Sequence, residues 1–161
     1  MKFMLVDKVE QLEPGKEITV SKNLSLAEEY LADHFPSFPV LPGVLILQVA
    51  VEAASWLVRV TNDFSHSILV LKEARQVRYG NFVSPGECLR VKVKAKQIGP
   101  TSSSFQAQGT TEGVRTLQAN LELGHFNLAD ENARAADIDR RIVAHLRQQC
   151  QLIAGDANKT R

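Results

Sequence analysis

Between Phe38 and Val58 the chain carries no lysine or arginine, and from Gly43 onward its apolar residues fall almost all the way round a helix. A helix that is apolar on most of its surface must be surrounded, either by protein or by lipid. The helical part begins only after Pro42, because proline fixes φ and removes a backbone donor, and it contains Gln48 and Glu52. About 16 residues then remain to Val58, short of the roughly 20 that cross a bilayer. The helix, ending near Val60, is expected to be the buried core of a folded domain, with no membrane span.

Something must wrap that helix, and the rest of the sequence supplies strands. Phe3 to Val9 is apolar and β-rich, Glu13-Pro14-Gly15-Lys16 is a turn signal, and Ile18 and Val20 alternate with polar residues, so the opening reads as a hairpin. Leu24 to Leu31 is a short helix or loop. After a polar break at 62–67 come four strand-like runs, Ile68–Leu71, Glu73–Tyr79, Cys88–Ala95 and Ser103–Thr111. Glu112-Gly113 turns into a last strand, Val114–Leu123, where Leu117, Ala119, Leu121 and Leu123 alternate with Gln118, Asn120 and Glu122. One buried helix and a run of antiparallel strands make an α+β fold.

Residues 1–124 are read as one domain, and 125–161 as a helical extension with a frayed tail. Asp137 is placed to cap a helix whose Ile138, Ile142, Val143, Leu146, Cys150 and Ile153 form one stripe, ending near Gly155. That stripe needs cover, from the core or across a dimer. A net charge of +1 argues against a nucleic-acid partner. No secretory leader pattern is visible at the start. Cys88 and Cys150 are read as free thiols of a cytoplasmic protein, one disulfide being the alternative.

The segment His34-Phe35-Pro36-Ser37-Phe38-Pro39-Val40-Leu41-Pro42-Gly43-Val44 cannot be regular helix or central strand, so it is an ordered loop feeding the helix. With Met4 to Val9, Glu13 to Lys16 and Phe82-Val83-Ser84-Pro85-Gly86-Glu87, it resembles the FabZ/FabA family of 3-hydroxyacyl-carrier-protein dehydratases over most of positions 1–123. The resemblance implies a hot-dog fold, a long helix wrapped in an antiparallel sheet, paired into homodimers or larger assemblies through sheet edges. It also implies loss of water from a 3-hydroxyacyl thioester to give a trans-2-enoyl thioester. The substrate would ride on the phosphopantetheine of acyl carrier protein or coenzyme A, with no metal or organic cofactor. Active sites would lie between subunits.

Within that resemblance His34 is the expected base, since a neutral imidazole suits removal of a proton next to a thioester carbonyl near neutral pH. Gly43 and Val44 present free N–H groups at a helix N-terminus, where enolate charge can be bound. Phe35 and Pro42 complete the expected thioester-binding loop. The acid is where this chain departs from the family. Fourteen residues after the His, family members carry Glu or Asp; here that residue is Gln48, and Glu52 stands four residues on, where Gln is usual. Positions i and i+4 share a helix face. Gln48 cannot deliver a proton at neutral pH, whereas burial would raise the Glu52 pKa and keep it protonated. Glu52 is thus the general acid, a buried carboxylate paired with a base such as Arg59, or an exposed helix residue, and a water held by Gln48 is a further candidate for the acid.

Two other readings stay open: a non-catalytic homologue that binds acyl thioesters or pairs with another hot-dog subunit, and a hot-dog thioesterase using Glu52 to activate water. Arg90, Lys92, Lys94 and Lys96 alternate on one strand, either as a solubilising face that blocks edge pairing or as a landing strip for an acidic carrier protein. Ser65, His66 and Asp63 assemble a triad only on paper, and the four histidines lack metal-site spacing.

Overall fold

The computed structural model describes residues 4–154. Six strands, β1 (Lys8–Glu13), β2 (Glu17–Asn23), β3 (Ile68–Tyr79), β4 (Cys88–Ile98), β5 (Ser102–Thr111) and β6 (Val114–Phe126), form one antiparallel sheet in the order β1-β2-β4-β5-β6-β3. Helix α1 (Gly43–Thr61) lies in its curl, and helix α2 (Ala136–Ala154) follows β6 through two short 3-10 turns. This is the hot-dog arrangement with an added helix.

Sequence alternation explains the inner face. Ile18, Val93, Ala107 and Ala119 are register partners across four neighbouring strands, and Val20, Val91, Gly109 and Leu117 form the next row. All eight are buried. Opposite them α1 presents Ala50, Ala53, Ala54 and Leu57, none with exposed surface. The spacing of these four makes one stripe of the helix, and three alanines let helix and sheet approach closely. The helix is long and apolar enough to cross a membrane by composition, but here its alanine stripe packs against the sheet.

Apart from Thr61 at its end, the polar residues of α1 fall on the opposite stripe: Gln48, Glu52, Ser55 and Arg59, spaced i, i+4, i+7 and i+11. The Glu52 carboxylate accepts from the Leu5 N–H at 3.0 and 3.2 Å and from the Val6 N–H at 3.0 Å. Leu5 and Val6 are buried, so an ionisable group of α1 holds the start of the chain against the core. The first strand accordingly begins at Lys8, later than the apolar pattern from Phe3 suggests. Phe3 itself lies outside the described residues.

Four further expectations change. Ile68–Leu71 and Glu73–Tyr79 are one strand, with register shifts after Leu71 and after Arg75. The basic strand β4 is central, between β2 and β5, so it blocks no edge. Its Arg90 bonds Glu10 at 3.1 Å and its Lys92 bonds Glu17 at 2.7 Å, which neutralises much of the expected landing strip. Asp137 does not cap α2. It sits exposed inside the first turn, paired with Arg140. The cap-like work falls to Asp139, whose carboxylate accepts from the Leu128 N–H at 3.0 Å, the Ala129 N–H at 2.8 Å and the Ser67 hydroxyl. Desolvation opposes ionisation there, but the three donors together hold the Asp139 carboxyl below its ordinary range. Along the predicted stripe Val143, Leu146 and Cys150 pack on the core and Ile153 is buried, while Ile138 stays half exposed. Gly155 and the tail expected to fray lie outside the described residues. Cys88 and Cys150 are separate free thiols.

One buried histidine is out of balance. His125, near the end of β6, is 3% exposed, and neither ring nitrogen has a hydrogen-bond partner. Burial first, then the neighbouring His66 ring and the charges of Lys72 and Arg59, push its pKa below the ordinary 6.5, with the Pro100 backbone acting the other way.

Asp139→Ala strands two backbone donors and a hydroxyl, and should cost about 2–3 kcal/mol in denaturant melts, with α2 released first in hydrogen exchange. Because the folded state resists protonating His125, its contribution to stability is intact above pH 6.5 and lost as pH falls below that value. His125→Phe should flatten that part of the stability profile, and parallel profiles for variant and wild type would refute the assignment.

Candidate functional site

The loop before α1 is fixed at both ends. The Leu41 N–H donates to the Val83 carbonyl at 2.9 Å, and the Leu45 and Ile46 N–H groups close the first helical turn on the Pro42 carbonyl. Leu41, Pro42 and Val83 are buried. Between these anchors the Phe38 N–H donates to the Phe35 carbonyl at 2.7 Å, and Phe35 has φ of 51°. A bulky residue in the left-handed region stores strain, which persists where surrounding contacts impose it. His34 stands beside this residue, half exposed, with its ring 4.5 Å from that of Phe35.

Gly43 is the first residue of α1, and its N–H and that of Val44 have no hydrogen-bond partner among the described residues. They are the unpaired donors that a helix N-terminus offers. A Cβ at Gly43 would sit 3.2 Å from the Tyr79 ring, so any larger residue here would push that ring aside by a few tenths of an ångström. Tyr79 was not evident from sequence, because nothing in a strand end announces contact with a distant glycine. Phe38 and Phe82 also meet edge to face at 5.6 Å. Phe35, Phe38, Phe82, Val44 and Tyr79 are all exposed, a cluster of apolar surface around His34 and the helix start.

The acid candidates sit elsewhere in the same chain. Gln48 and Glu52 line one cavity of about 370 Å³ with Trp56, Arg59, His145 and Gln149, and His34 is not among its walls. The two residues therefore do face a common space, as their spacing predicts. Burial raises the Glu52 pKa despite the Val6 and Leu5 N–H groups and the charges of Arg59 and Lys22, which act against it. Glu52 is thus neither an ion-pair partner of Arg59 nor a free carboxyl; the backbone of the N-terminal segment holds it.

Of the triad assembled on paper, the Ser65 hydroxyl and His66 Nδ1 do meet at 3.1 Å. Asp63 instead bonds Arg147 at 2.9 Å, so the histidine lacks its orienting carboxylate. Among the described residues no group of three metal-ligating side chains assembles.

Comparison with known proteins fits this geometry. The sequence pattern of the ApeI-like dehydratases matches residues 10–118. The 3-hydroxyacyl-[acyl-carrier-protein] dehydratase FabZ of Ruminiclostridium cellulolyticum is 36% identical over 107 residues, which is 65% of this chain and 75% of that protein. Other dehydratases of that name match over 62–63% of their length. In structure, the dehydratase heterocomplex ApeI:P from Xenorhabdus doucetiae superimposes with a TM-score of 0.67 at 15% identity, covering 83% of this chain and 90% of that one. A thioesterase variant from Pseudomonas aeruginosa gives 0.58 at 16% identity, covering 73% and 79%. At such identities the structural matches speak for the fold alone, whereas the sequence match extends through the loop, the helix, strands β2 to β5 and parts of β1 and β6. The chain belongs to the ApeI-like dehydratase family.

Proposed function

We propose that this protein acts on 3-hydroxyacyl thioesters delivered by a carrier protein, with His34 removing the α-proton. The observation that carries the reading is the helix start, where unpaired Gly43 and Val44 N–H groups adjoin the pinned His34 loop. The thioester carbonyl oxygen would lie against those N–H groups. As the imidazole takes the proton, the electron pair moves toward that oxygen, and donors already oriented there stabilise the charge without reorganising. The pair then returns to form the Cα–Cβ double bond. The β-hydroxyl leaves as water once it receives a proton.

The proton source is the weak link within one chain. Gln48 occupies the acid position, and Glu52 is committed to Leu5 and Val6. β3 lies at an end of the sheet with Val70, Leu71 and Tyr79 exposed, so a second hot-dog subunit would pair there and bring its own helix toward His34. In a homodimer that helix presents Gln48. A different hot-dog subunit can present a carboxyl, and the heterocomplex of the ApeI:P dehydratase gives that second reading a precedent in the same fold. Thioester hydrolysis finds less support, since a Glu52 held by two backbone donors is poorly placed to activate water.

Dehydration is read by enoyl-thioester absorbance with a 3-hydroxyacyl carrier protein. His34→Ala should abolish turnover in any assembly that contains this chain's base. Alone, the wild-type protein should run roughly 10²–10⁴-fold below a family member with a carboxyl at this position. Gln48→Glu should recover much of that factor. Full wild-type activity that survives His34→Ala would sink the reading. A separate comparison addresses Glu52: Glu52→Gln should lower the melting temperature more than kcat, whereas a fall in kcat with unchanged melting would identify Glu52 as the acid.

A further inference from the structure

The cavity between α1 and α2 holds a buried group that the proposed reaction does not use. Arg59 Nε is shut off from solvent and has no hydrogen-bond partner. An unmet buried donor carries a desolvation penalty that calls for an explanation, and the same guanidinium borders the cavity, where a ligand can reach it. The guanidinium stacks 5.4 Å above the Trp56 ring. Burial lowers its pKa to about 10, with Cys150 and Glu52 acting to raise it, so it stays charged at neutral pH. The one carboxylate in the cavity wall, Glu52, is engaged by Leu5 and Val6.

The rest of the wall is of two kinds. Leu69, Leu146, Val51 and the Trp56 ring are apolar, while Gln48, Gln149 and His145 can exchange hydrogen bonds. A volume of about 370 Å³ lies within the range of small-molecule sites, which combine apolar walls with a few convergent polar groups. His145, Leu146 and Gln149 belong to α2, beyond residues 10–118 that the family pattern matches. The added helix therefore supplies one wall of a cavity whose α1 wall contains the acid position of the dehydratases.

We propose that this cavity binds a small molecule with an apolar body and an acceptor oxygen at one end, the oxygen meeting Arg59. A hydroxyl, carbonyl or carboxylate satisfies that description. The ligand is either the far end of the acyl chain whose thioester lies at the helix start or a separate molecule. Binding itself does not rest on the dehydratase reading and is measured without turnover.

Trp56 is the chain's one tryptophan and lines the cavity, so its fluorescence reports occupancy in the full-length protein. Octanoate and 1-octanol should perturb it saturably, and octylammonium should bind at least ~10-fold more weakly beside the guanidinium. Arg59→Met should weaken octanoate at least ~10-fold while leaving 1-octanol less affected. Gln149→Phe, which fills the cavity from α2 without touching Arg59, should weaken both. Octylammonium binding as well as octanoate, or octanoate binding unchanged in Arg59→Met and Gln149→Phe, would overturn the proposal, as would no saturable response up to millimolar ligand. In turnover, octanoate competitive with the thioester places the ligand on the substrate's own path, and non-competitive inhibition identifies a separate molecule. A protein that still binds octanoate in this pattern but forms no enoyl product even as Gln48→Glu refutes the dehydratase reading and leaves this one standing.

Discussion

The structure depends on a helix with very little surface that water can accept. A sheet curled round α1 covers the alanine stripe, but a sheet cannot close on a helix from every side. The uncovered side is where all the long polar side chains of α1 fall, in one row from Gln48 to Arg59. That row decides what else the protein must have. Glu52 recruits the backbone of Leu5 and Val6, and α2 closes over the remainder with Leu146, Cys150 and Ile153. Hydrophobic burial places the helix, and the polar row orients it and selects its cover.

The alternation of Leu117 to Leu123, the apolar run after Gly43 and the Glu112-Gly113 turn were legible because each is a local pattern with a local cause. At the turn both residues adopt positive φ, 51° and 81°, as the tight hairpin requires. What escaped the sequence was set at long range. Continuity of β3 across its irregularities depends on pairing with β6, 38 to 58 residues away. Whether the charges of β4 lie on an edge depends on strand order, which side-chain periodicity does not encode. Asp139 was passed over for Asp137 because the two differ only in which donors the 3-10 turns bring near.

The site divides in the same way. The His34 loop and the Gly43 helix start are contiguous in sequence, so their union could be foreseen. The relation of Gln48 to Glu52 was half visible: helix spacing put them in one cavity, while the N-terminal segment that occupies Glu52 came from forty-seven residues away. Arg59 was noticed only as an ion-pair candidate, because a sequence does not reveal that a buried cation will find no anion. In the function proposed here the proton source comes from a second subunit, so one chain's sequence would not supply every group facing His34.

The irregularities of β3 bear on which chains it can join. A straight, fully hydrogen-bonding edge accepts almost any extended peptide. This edge is interrupted after Leu71 and again around Gln76, whose φ is 52°, so donors and acceptors fall out of step along its length. A stray strand meeting it would match over only a few residues before losing register. The defect that shortens the ladder therefore shields this edge, leaving an unfolded chain little to pair with.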